Sequence, residues 1–312
     1  MKILIIGSQK PFNAEFFYNK AFNQLGFKTD ILNMYEHVKY PLFTRIVQTR
    51  TSVFHFMQNF IYINKDLDQR VRKIDPDVII VFKGEFLSVK SLESLSENYK
   101  IYLFYPDTFK FKPILKNRLQ YYQCIFTAAN RTIFYLKFGA KRVVTIPWAC
   151  DPDFHRKIET IKKYNVSFIG TAYGERKHVI SKLDDVATFG DFWGKRINAH
   201  PAVYGEEFIK VINETRINLN MHSKADKIAD APNMRTFELA CSEGFQISDH
   251  IPSIKRYFPI MVTFHDLTEL KELVKFYLDS FEDAKIIAEK VRRIAIENFK
   301  YIDSARLIVE NM

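Results

Sequence analysis

Short apolar runs alternate with amphipathic stretches along the first half of the chain. The runs that we predict to be buried strands are residues 3–6, 78–82, 101–105, 124–127 and 143–146. Apolar residues at helical spacing follow the first run and stop before Gly26, which predicts a helix over residues 13–25. We also predict that residues 41–64 are helical. This alternation is typical of a parallel sheet with helices on both faces.

A polar, charge-rich connection over residues 147–163 separates this series from a second one. New strands are predicted at residues 166–169, 187–189 and 217–221, and nearly continuous helix over residues 267–312. A chain of 312 residues is long for one core, because single cores stop growing near ~250 residues. The sequence therefore predicts an α/β protein of two Rossmann-like domains, residues 1–160 and residues 161–312.

Three turns of the first domain are candidates for a binding site. Gly7 follows the first strand, Lys83 and Glu85 flank Gly84 after the second, and Asp107 follows the third. Ligands in open α/β sheets bind beyond the carboxyl ends of the strands, so these turns should line one cleft. A glycine after a strand is more often only a tight turn, and that interpretation stays open for each turn.

All of the net charge of +10 lies in the first domain. Residues 1–160 carry 24 Lys and Arg against 14 Asp and Glu, whereas residues 161–312 carry 22 of each. A one-sided positive field concentrates anionic partners, such as a membrane surface, a nucleic acid or a phosphorylated acceptor. General solvation by lysine would give the same excess, so charge alone does not choose among these partners.

The sequence carries no signal for export or membrane insertion. No apolar run approaches the ~18 residues that cross a bilayer, and Met1 leads directly into the first strand. We therefore predict a cytoplasmic protein, with peripheral binding to the inner face of the membrane left open. The three cysteines lack CxxC spacing and the eight histidines lack HxxxH spacing, which indicates neither a disulfide framework nor a metal site.

Residues 217–249 concentrate polar side chains around a predicted strand end and helix start. Asn220 and His222 end the strand, and Asn233 precedes a helix that we predict to begin near Thr236. A helix N-terminus presents free amide groups and the positive end of the helix dipole, which together favour a phosphate. The pattern therefore indicates an anion-binding site at this helix.

Two charged residues of the same helix suit a nucleotide. Arg235 can offer paired donors to a diphosphate, and Glu238, predicted in the first turn, offers two acceptor oxygens to ribose hydroxyls. A structural interpretation stays open, in which Thr236 caps the helix and Glu238 only favours its dipole.

This segment resembles the signature of the CgeB-like, spore-maturation-type glycosyltransferases, which are related to the glycogen-synthase-like group of retaining enzymes. The resemblance implies the GT-B fold, in which two Rossmann-like domains face a central cleft and the last helix crosses back to the N-terminal domain. In that group two acidic residues are separated by seven positions; the second binds the nucleotide ribose and the first lies near the donor sugar. Asp230 and Glu238 have this spacing, with Asp in place of the more usual Glu.

Further matches support the resemblance. Residues 166–177, VSFIGTAYGERK, are similar to the family's strand and glycine loop followed by a basic pair, here Arg176 and Lys177. Two downstream stretches also match, residues 249–258 and residues 264–278. The similarity in pattern covers essentially residues 143–312 and, more faintly, residues 78–142.

The resemblance implies a metal-independent transferase that requires no cofactor, takes a nucleotide-diphosphate sugar as donor and retains the anomeric configuration. Cationic groups and a helix N-terminus would neutralise the leaving diphosphate. The residues that it assigns to catalysis are Arg176, Lys177, Arg235 and Asp230. Those that it assigns to nucleotide-sugar binding are Gly7, Gly170, Asn220, Asn233, Arg235, Glu238 and Gly244. Acceptor-side candidates are Lys83, Glu85 and Asp107, with His37 and His55, although a lone loop residue of these types is more often structural.

Four hypotheses for the function follow. The leading one is transfer of a sugar to a cell-envelope glycan, lipid or protein, with the basic first domain on an anionic membrane. The second keeps this donor chemistry but makes DNA the acceptor, as in phage enzymes that glucosylate modified bases. A non-catalytic nucleotide-sugar-binding protein and a nucleotide-sugar 2-epimerase are the others.

Overall fold

The computed structural model describes residues 1–35, 48–106, 116–194 and 198–312. The chain divides into two compact units, Met1–Ile146 with Ala305–Met312, and Pro147–Ser304, which we call the first and the second unit. In the described part of the chain, no helix combines the length and the apolar character that crossing a bilayer requires. The assignment of acceptor and donor binding to separate domains stays a prediction.

The first unit contains six strands and five helices among its described residues, followed by the end of the last helix. The strands are β1 (Lys2–Gly7), β2 (Lys28–Asn33), β3 (Val78–Phe82), β4 (Lys100–Phe104), β5 (Ile125–Thr127) and β6 (Val143–Thr145). The helices are α1 (Ala14–Gln24), α2 (Gln48–Asn64), α3 (Leu67–Ile74), α4 (Val89–Asn98) and α5 (Ile133–Lys137).

All neighbouring strands of this sheet are parallel, in the order β2-β1-β3-β4-β5-β6. The central strands are covered on both faces, and their side chains are almost entirely apolar. The five strands that the sequence predicted in this half of the chain are therefore confirmed. The rings of Tyr18, Phe82 and Phe104 pack together in the core, with centroids 5.0–5.6 Å apart. The helix predicted over residues 41–64 is confirmed from Gln48 onward, and residues 41–47 lie outside the described residues.

The second unit repeats this plan. Its strands are β7 (Tyr164–Ile169), β8 (Val186–Phe189), β9 (Ala199–His200), β10 (Thr215–Asn220), β11 (Gln246–Asp249) and β12 (Val262–Phe264). The helices are α6 (Glu175–Ile180), α7 (Gly205–Glu214), α8 (Lys224–Ala229), α9 (Met234–Cys241), α10 (Pro252–Tyr257), α11 (Leu267–Asp279), α12 (Phe281–Asn298) and α13 (Tyr301–Glu310).

The second sheet is also parallel, in the order β9-β8-β7-β10-β11-β12. Ile217 and Leu219 of β10 form its core with Val166 and Phe168 of β7 and Ile247 of β11. The three strands predicted here are confirmed to within two residues, and α11 to α13 confirm the helical pattern predicted at the end of the chain.

The end of the chain belongs to the first unit, although α13 begins in the second. The Tyr102 hydroxyl of β4 donates to the Met312 carbonyl at 2.6 Å, and Arg142 Nη1 donates to the Asn311 carbonyl at 3.3 Å. These bonds fix the last residues against the sheet of the first unit. The resemblance implied such a return of the last helix to the N-terminal domain.

Candidate functional site

The order of the second sheet reverses between β7 and β10. β8 and β9 extend the sheet from β7 in one direction, whereas β11 and β12 extend it from β10 in the other. The connections that leave these two strands therefore diverge and open a crevice beyond their carboxyl ends, where ligands of such sheets bind. Gly170 directly follows β7 and Asn220 ends β10, so both predicted residues lie at this crevice.

Gly170 makes a close contact with a neighbouring loop. Its φ of +154° lies in a region that favours glycine. Gly190, after β8, has a φ of +150°, and a Cβ there would lie only 2.4 Å from the Gly170 carbonyl oxygen. Trp193 Nε1 donates to the same oxygen at 2.8 Å. The two glycines therefore let the loops after β7 and β8 pack backbone against backbone.

The predicted basic pair separates in the structure. Arg176 lies on α6 with its guanidinium 4.1 Å from the Tyr173 ring centroid, and Nη2 donates to the Met221 carbonyl at 2.7 Å. Since Met221 immediately follows β10, Arg176 bridges the two strand ends that border the crevice. Lys177 is exposed on α6 and does not share these contacts.

A hydrogen-bonded chain of polar side chains joins β10 to the start of α9. Asn220 Nδ2 donates to Thr236 Oγ1 at 2.8 Å, and Asn233 Nδ2 donates to Asn220 Oδ1 at 3.0 Å. Asn220 and Thr236 are buried, with 2% and 0% of their surface exposed. These polar groups therefore satisfy one another, and they fix Asn233 at the mouth of α9.

These hydrogen bonds continue to a buried histidine and aspartate. His222 Nε2 lies 3.3 Å from Thr236 Oγ1, and His222 Nδ1 lies 2.6 Å from Asp249 Oδ1 at the end of β11. Lys227 Nζ of α8 is 2.9 Å from Asp249 Oδ2. Burial would raise the pKa of the Asp249 carboxyl, but His222 and Lys227 outweigh this effect and lower it. Asp249 is therefore an ionised acceptor at neutral pH.

Helix α9 begins two residues earlier than the sequence predicted. Asn233 is its N-cap and accepts a hydrogen bond from the Thr236 amide at 3.0 Å. An Asn side chain stabilises this position well, which moves the start of the helix from Thr236 to Met234. Glu238 consequently lies in the second turn, not the first, and the cap is Asn233 instead of Thr236.

Arg235 and Glu238 lie three residues apart on α9 and face each other. Arg235 Nη1 is 3.5 Å from Glu238 Oε2, and its guanidinium lies 4.2 Å from the centroid of the Phe208 ring of α7. His155 Nε2 lies 3.7 Å from Glu238 Oε1. The Asp151 amide donates to His155 Nδ1 at 3.0 Å, so a neutral ring carries its proton on Nε2, facing Glu238.

The Glu238 carboxylate is buried, ionised and incompletely bonded. Burial would raise the pKa of this carboxyl, but Arg235 and His155 outweigh it and hold the pKa below its ordinary value. Only 5% of the side chain is exposed, and Oε2 has no hydrogen-bond partner among the residues that the structure describes. Such an oxygen is an acceptor that a ligand hydroxyl can satisfy.

Asp230, the other acidic residue of the predicted pair, contacts α10. It ends α8 in a left-handed conformation, with φ 51° and ψ 52°. Its Oδ1 accepts from the Ser253 amide at 2.9 Å, and its Oδ2 accepts from Arg256 Nη2 at 2.9 Å. Both oxygens therefore hold the N-terminal part of α10, and the role of Asp230 near a donor sugar stays a prediction.

Gly244 lies away from the crevice. It stands between the end of α9 and the start of β11, at the amino edge of the sheet. A Cβ at this position would lie 2.5 Å from Ile212 Cγ2 of α7. The structure therefore explains this glycine by close packing and does not bring it together with Gly170 and Asn220.

In the first sheet the order reverses between β1 and β3, and two predicted residues lie at their carboxyl ends. Gly7 ends β1 and Lys83 follows β3. A Cβ at Gly7 would lie 2.8 Å from Glu15 Cγ, and Glu15 Oε1 accepts from the Ser8 amide at 3.0 Å. Burial raises the pKa of the Glu15 carboxyl, which lies directly beneath this turn.

Glu85 lies in the turn that follows β3, where two side chains hold it. Tyr105 donates its hydroxyl hydrogen to Glu85 Oε1 at 3.4 Å, and Arg118 Nη1 donates to the Glu85 carbonyl at 2.9 Å. Asp107 and His37 lie outside the described residues, and His55 lies on α2. The acceptor-side roles of these residues stay predictions.

Three residues with direct contacts to the predicted site were missed from sequence. His155 belongs to the connection that we interpreted only as a domain boundary. Asp249 ends a short polar strand that we did not predict, and the rule that sites form at strand ends would have indicated it. Glu15 follows the first turn closely in sequence, but its burial depends on packing.

Among the described residues, no group of three or more metal-ligating side chains comes together.

A family model described as "Glycosyl transferase-like" matches residues 153–310 of the chain. Spore protein CgeB of Bacillus subtilis is 25% identical over 180 residues, which cover 49% of this chain and 56% of that protein. The match thus spans little more than half the length of this curated relative.

Solved structures resemble the whole chain. A sucrose-phosphate synthase from Thermosynechococcus elongatus superimposes with a TM-score of 0.71 at 10% identity, covering 100% of this chain and 98% of the other. The Anabaena protein HepE, solved in complex with UDP-glucose, gives a TM-score of 0.63 at 10% identity, with coverage of 100% and 99%. At such identities the likeness concerns the fold.

Proposed function

Because the chain belongs to the glycosyl transferase-like family and has the GT-B fold, we propose that it transfers a sugar from a nucleotide-diphosphate donor to an acceptor. The second unit would bind the donor at the carboxyl ends of β7 and β10. As in the glycogen-synthase-like group that the sequence resembles, the reaction would proceed with retention and without a divalent metal.

Glu238 carries this proposal. It is a buried, ionised carboxylate whose Oε2 lacks a hydrogen-bond partner among the described residues, and it lies two turns or less from the N-terminus of α9. A carboxylate at this position can accept from both hydroxyls of a ribose while the helix N-terminus faces the phosphates. Arg235 lies 3.5 Å from this oxygen as an ion-pair partner, so a ligand hydroxyl can add the hydrogen bond that Oε2 lacks.

The leaving diphosphate would be stabilised by cations already fixed around the crevice. Arg176 is held by Tyr173 and by the Met221 carbonyl, and the first amide groups of α9 lie beside Asn233. Preorganised donors of this kind stabilise charge that develops as a bond breaks, which is the task that a divalent metal performs elsewhere. Arg235 and Lys177 would add to the positive potential.

The acceptor would lie at an anionic surface, which we propose to be a membrane that presents a lipid or an envelope glycan. Residues 108–150 carry eight Lys and Arg and no Asp or Glu. On α5, Ile133 and Leu136 are exposed by 52% and 49%, and Lys137 is exposed beside them. Exposed apolar side chains beside a cation, in a segment without acidic residues, suit a bilayer interface with anionic lipids.

A panel of nucleotide sugars tests the donor proposal. A ligand that binds only the folded chain raises its melting temperature by mass action, so the matching donor should stabilise the protein more than the other donors do. Sugar transfer to an acceptor, or slow release of the sugar to water, should follow with that same donor. Absence of both stabilisation and release with every donor would refute the proposed function.

Vesicles test the acceptor surface. The protein should pellet with vesicles that contain phosphatidylglycerol and not with vesicles of phosphatidylcholine alone, and the variant I133S/L136S should pellet less. Binding to duplex DNA that weakens log-linearly with salt, in place of vesicle binding, would instead favour a DNA acceptor.

A further inference from the structure

Asp249 gathers an unusual number of donors on one buried carboxylate. Its two oxygens accept from the His222 amide, each at 3.1 Å, and Oδ1 also lies 2.6 Å from His222 Nδ1. Lys227 Nζ supplies a further contact at 2.9 Å from Oδ2. One side chain at the end of β11 therefore fixes both the backbone and the ring of the residue that follows β10 by two positions.

The backbone contact reaches across the peptide bond to Arg176. The His222 amide and the Met221 carbonyl belong to one planar trans peptide group, so they point in opposite directions. When the amide is held on Asp249, the Met221 carbonyl must face the other way. There it accepts from Arg176 Nη2 at 2.7 Å and lies 3.5 Å from Asn233 Nδ2.

The side-chain contact reaches the same groups by a second route. The His222 ring leads through Thr236 and Asn220 to Asn233, the N-cap of α9, by the hydrogen bonds described above. Asp249 is thus linked to Arg176 through the backbone and to Asn233 through side chains. Glu238 has other partners, Arg235 and His155, and stands outside this network.

We propose that Asp249 is a positioning residue that sets Arg176 and Asn233 for the diphosphate of the donor, acting through the Met221–His222 peptide and the His222 ring. This inference rests on the proposed function, because it assumes that a diphosphate binds at the crevice. It separates the donor site into a phosphate half organised by Asp249 and a ribose half organised by Glu238.

The substitution Asp249→Asn tests the proposal. The variant keeps the shape of the side chain but replaces an accepting oxygen with an amide that must face a donor. We expect the dissociation constant for the nucleoside diphosphate of the donor that the panel identifies, which is UDP for a UDP-sugar, to rise about tenfold when measured by calorimetry. The affinity for uridine, which lacks both phosphates and is measured by NMR titration, should change less than about twofold.

A double-mutant cycle with Arg176→Ala distinguishes positioning from general destabilisation. Since Asp249 acts through both Arg176 and Asn233, adding D249N to R176A should weaken UDP binding by about threefold further, clearly less than the roughly tenfold loss in the wild-type background, because one of the two routes is already absent. Thr215→Val is the matched control. It removes a buried hydrogen bond at the amino end of β10, to the Val211 carbonyl at 2.7 Å, and should lower stability without changing either affinity.

Additive losses in the cycle, or equal losses for UDP and uridine, would overturn the proposal. If D249N does not fold, His222→Phe replaces it, because this variant cuts the route through the ring to Thr236 and leaves the peptide contact with Asp249 in place. We then expect a loss of about threefold for UDP alone, and unchanged UDP affinity would overturn the proposal. If the wild-type protein binds no nucleotide, the proposed function is refuted, and so is this inference, which rests on it.

Discussion

Replacing Glu238 with glutamine keeps the size of the side chain and removes its charge. In the folded chain, Arg235 lies 3.5 Å from one oxygen of this carboxylate and His155 lies 3.7 Å from the other. The substitution leaves Arg235 without its buried partner. Breaking a fully buried ion pair costs about 3–5 kcal/mol, whereas an exposed pair contributes about 0–1 kcal/mol. Arg235 is 28% exposed and water compensates part of this, so we expect the free energy of unfolding to fall by about 1–2 kcal/mol.

The same substitution should have a larger effect on the donor. If the carboxylate accepts from ribose hydroxyls, the loss of charge weakens those bonds by about 1.5–3 kcal/mol, which is roughly a 10- to 150-fold rise in the dissociation constant. The effect should disappear with a ligand that lacks the hydroxyls. Wild-type protein should therefore bind UDP more tightly than 2′,3′-dideoxy-UDP, whereas E238Q should bind the two with nearly equal affinity.

Calorimetric titration of both proteins with both nucleotides gives the four dissociation constants. Circular dichroism of E238Q should show that the fold is intact, so that weaker binding is not a consequence of unfolding. If E238Q binds UDP as tightly as the wild type, or still discriminates against the dideoxy analogue, then Glu238 does not bind the ribose and our placement of the donor is wrong.

Three further predictions concern stability. The folded pKa of Glu238 lies below its ordinary value of 4.5, so the contribution of its carboxylate to the free energy of unfolding is present above that pH and is lost as the pH falls through the folded pKa. Denaturant titrations of wild type and E238Q should therefore differ at about pH 7 and converge in acid. Gly190→Ala should lower the free energy of unfolding by about 1–3 kcal/mol, because its Cβ would meet the Gly170 carbonyl; unchanged stability would contradict that close approach. Gly244→Ala should destabilise similarly through Ile212 while UDP affinity in calorimetry stays the same, and weaker binding would return Gly244 to the donor site.

Most of the apolar strands of the fold were predictable, and two of the polar strands were not. Strands covered on both faces must be apolar along their length, so β3 was predicted to the residue and β1, β4 and β7 to within two. β2 has the sequence KTDILN and lies at the sheet edge, half exposed, and β11 has the sequence QISD. Both are held as strands by pairing with a neighbour, a tertiary effect that local pattern does not record.

The candidate site was predicted where its residues are close in sequence. Asn220, Asn233, Arg235 and Glu238 fall within one short segment, and the family resemblance based on that segment is confirmed by the family model. Asp249 reaches His222 only because β11 pairs in parallel with β10, with Asn220 opposite Ser248. Contacts of this kind depend on register between distant segments, so a pattern read along the chain could not supply them.

The buried acids of the second unit differ in whether each oxygen has a hydrogen bond, and this difference supports Glu238 as the proposed binding residue more directly than their spacing does. One oxygen of Asp230 accepts from the Ser253 amide and the other accepts from Arg256. The oxygens of Asp249 contact His222 and Lys227. Both oxygens of each of these carboxylates already accept from charged or backbone donors, which hold the side chain in place. Glu238 is ionised and buried to a similar degree, yet Oε2 has no hydrogen bond within the described residues. Of the two acids at the family spacing, Glu238 is therefore the one with an oxygen that accepts no hydrogen bond from the described residues.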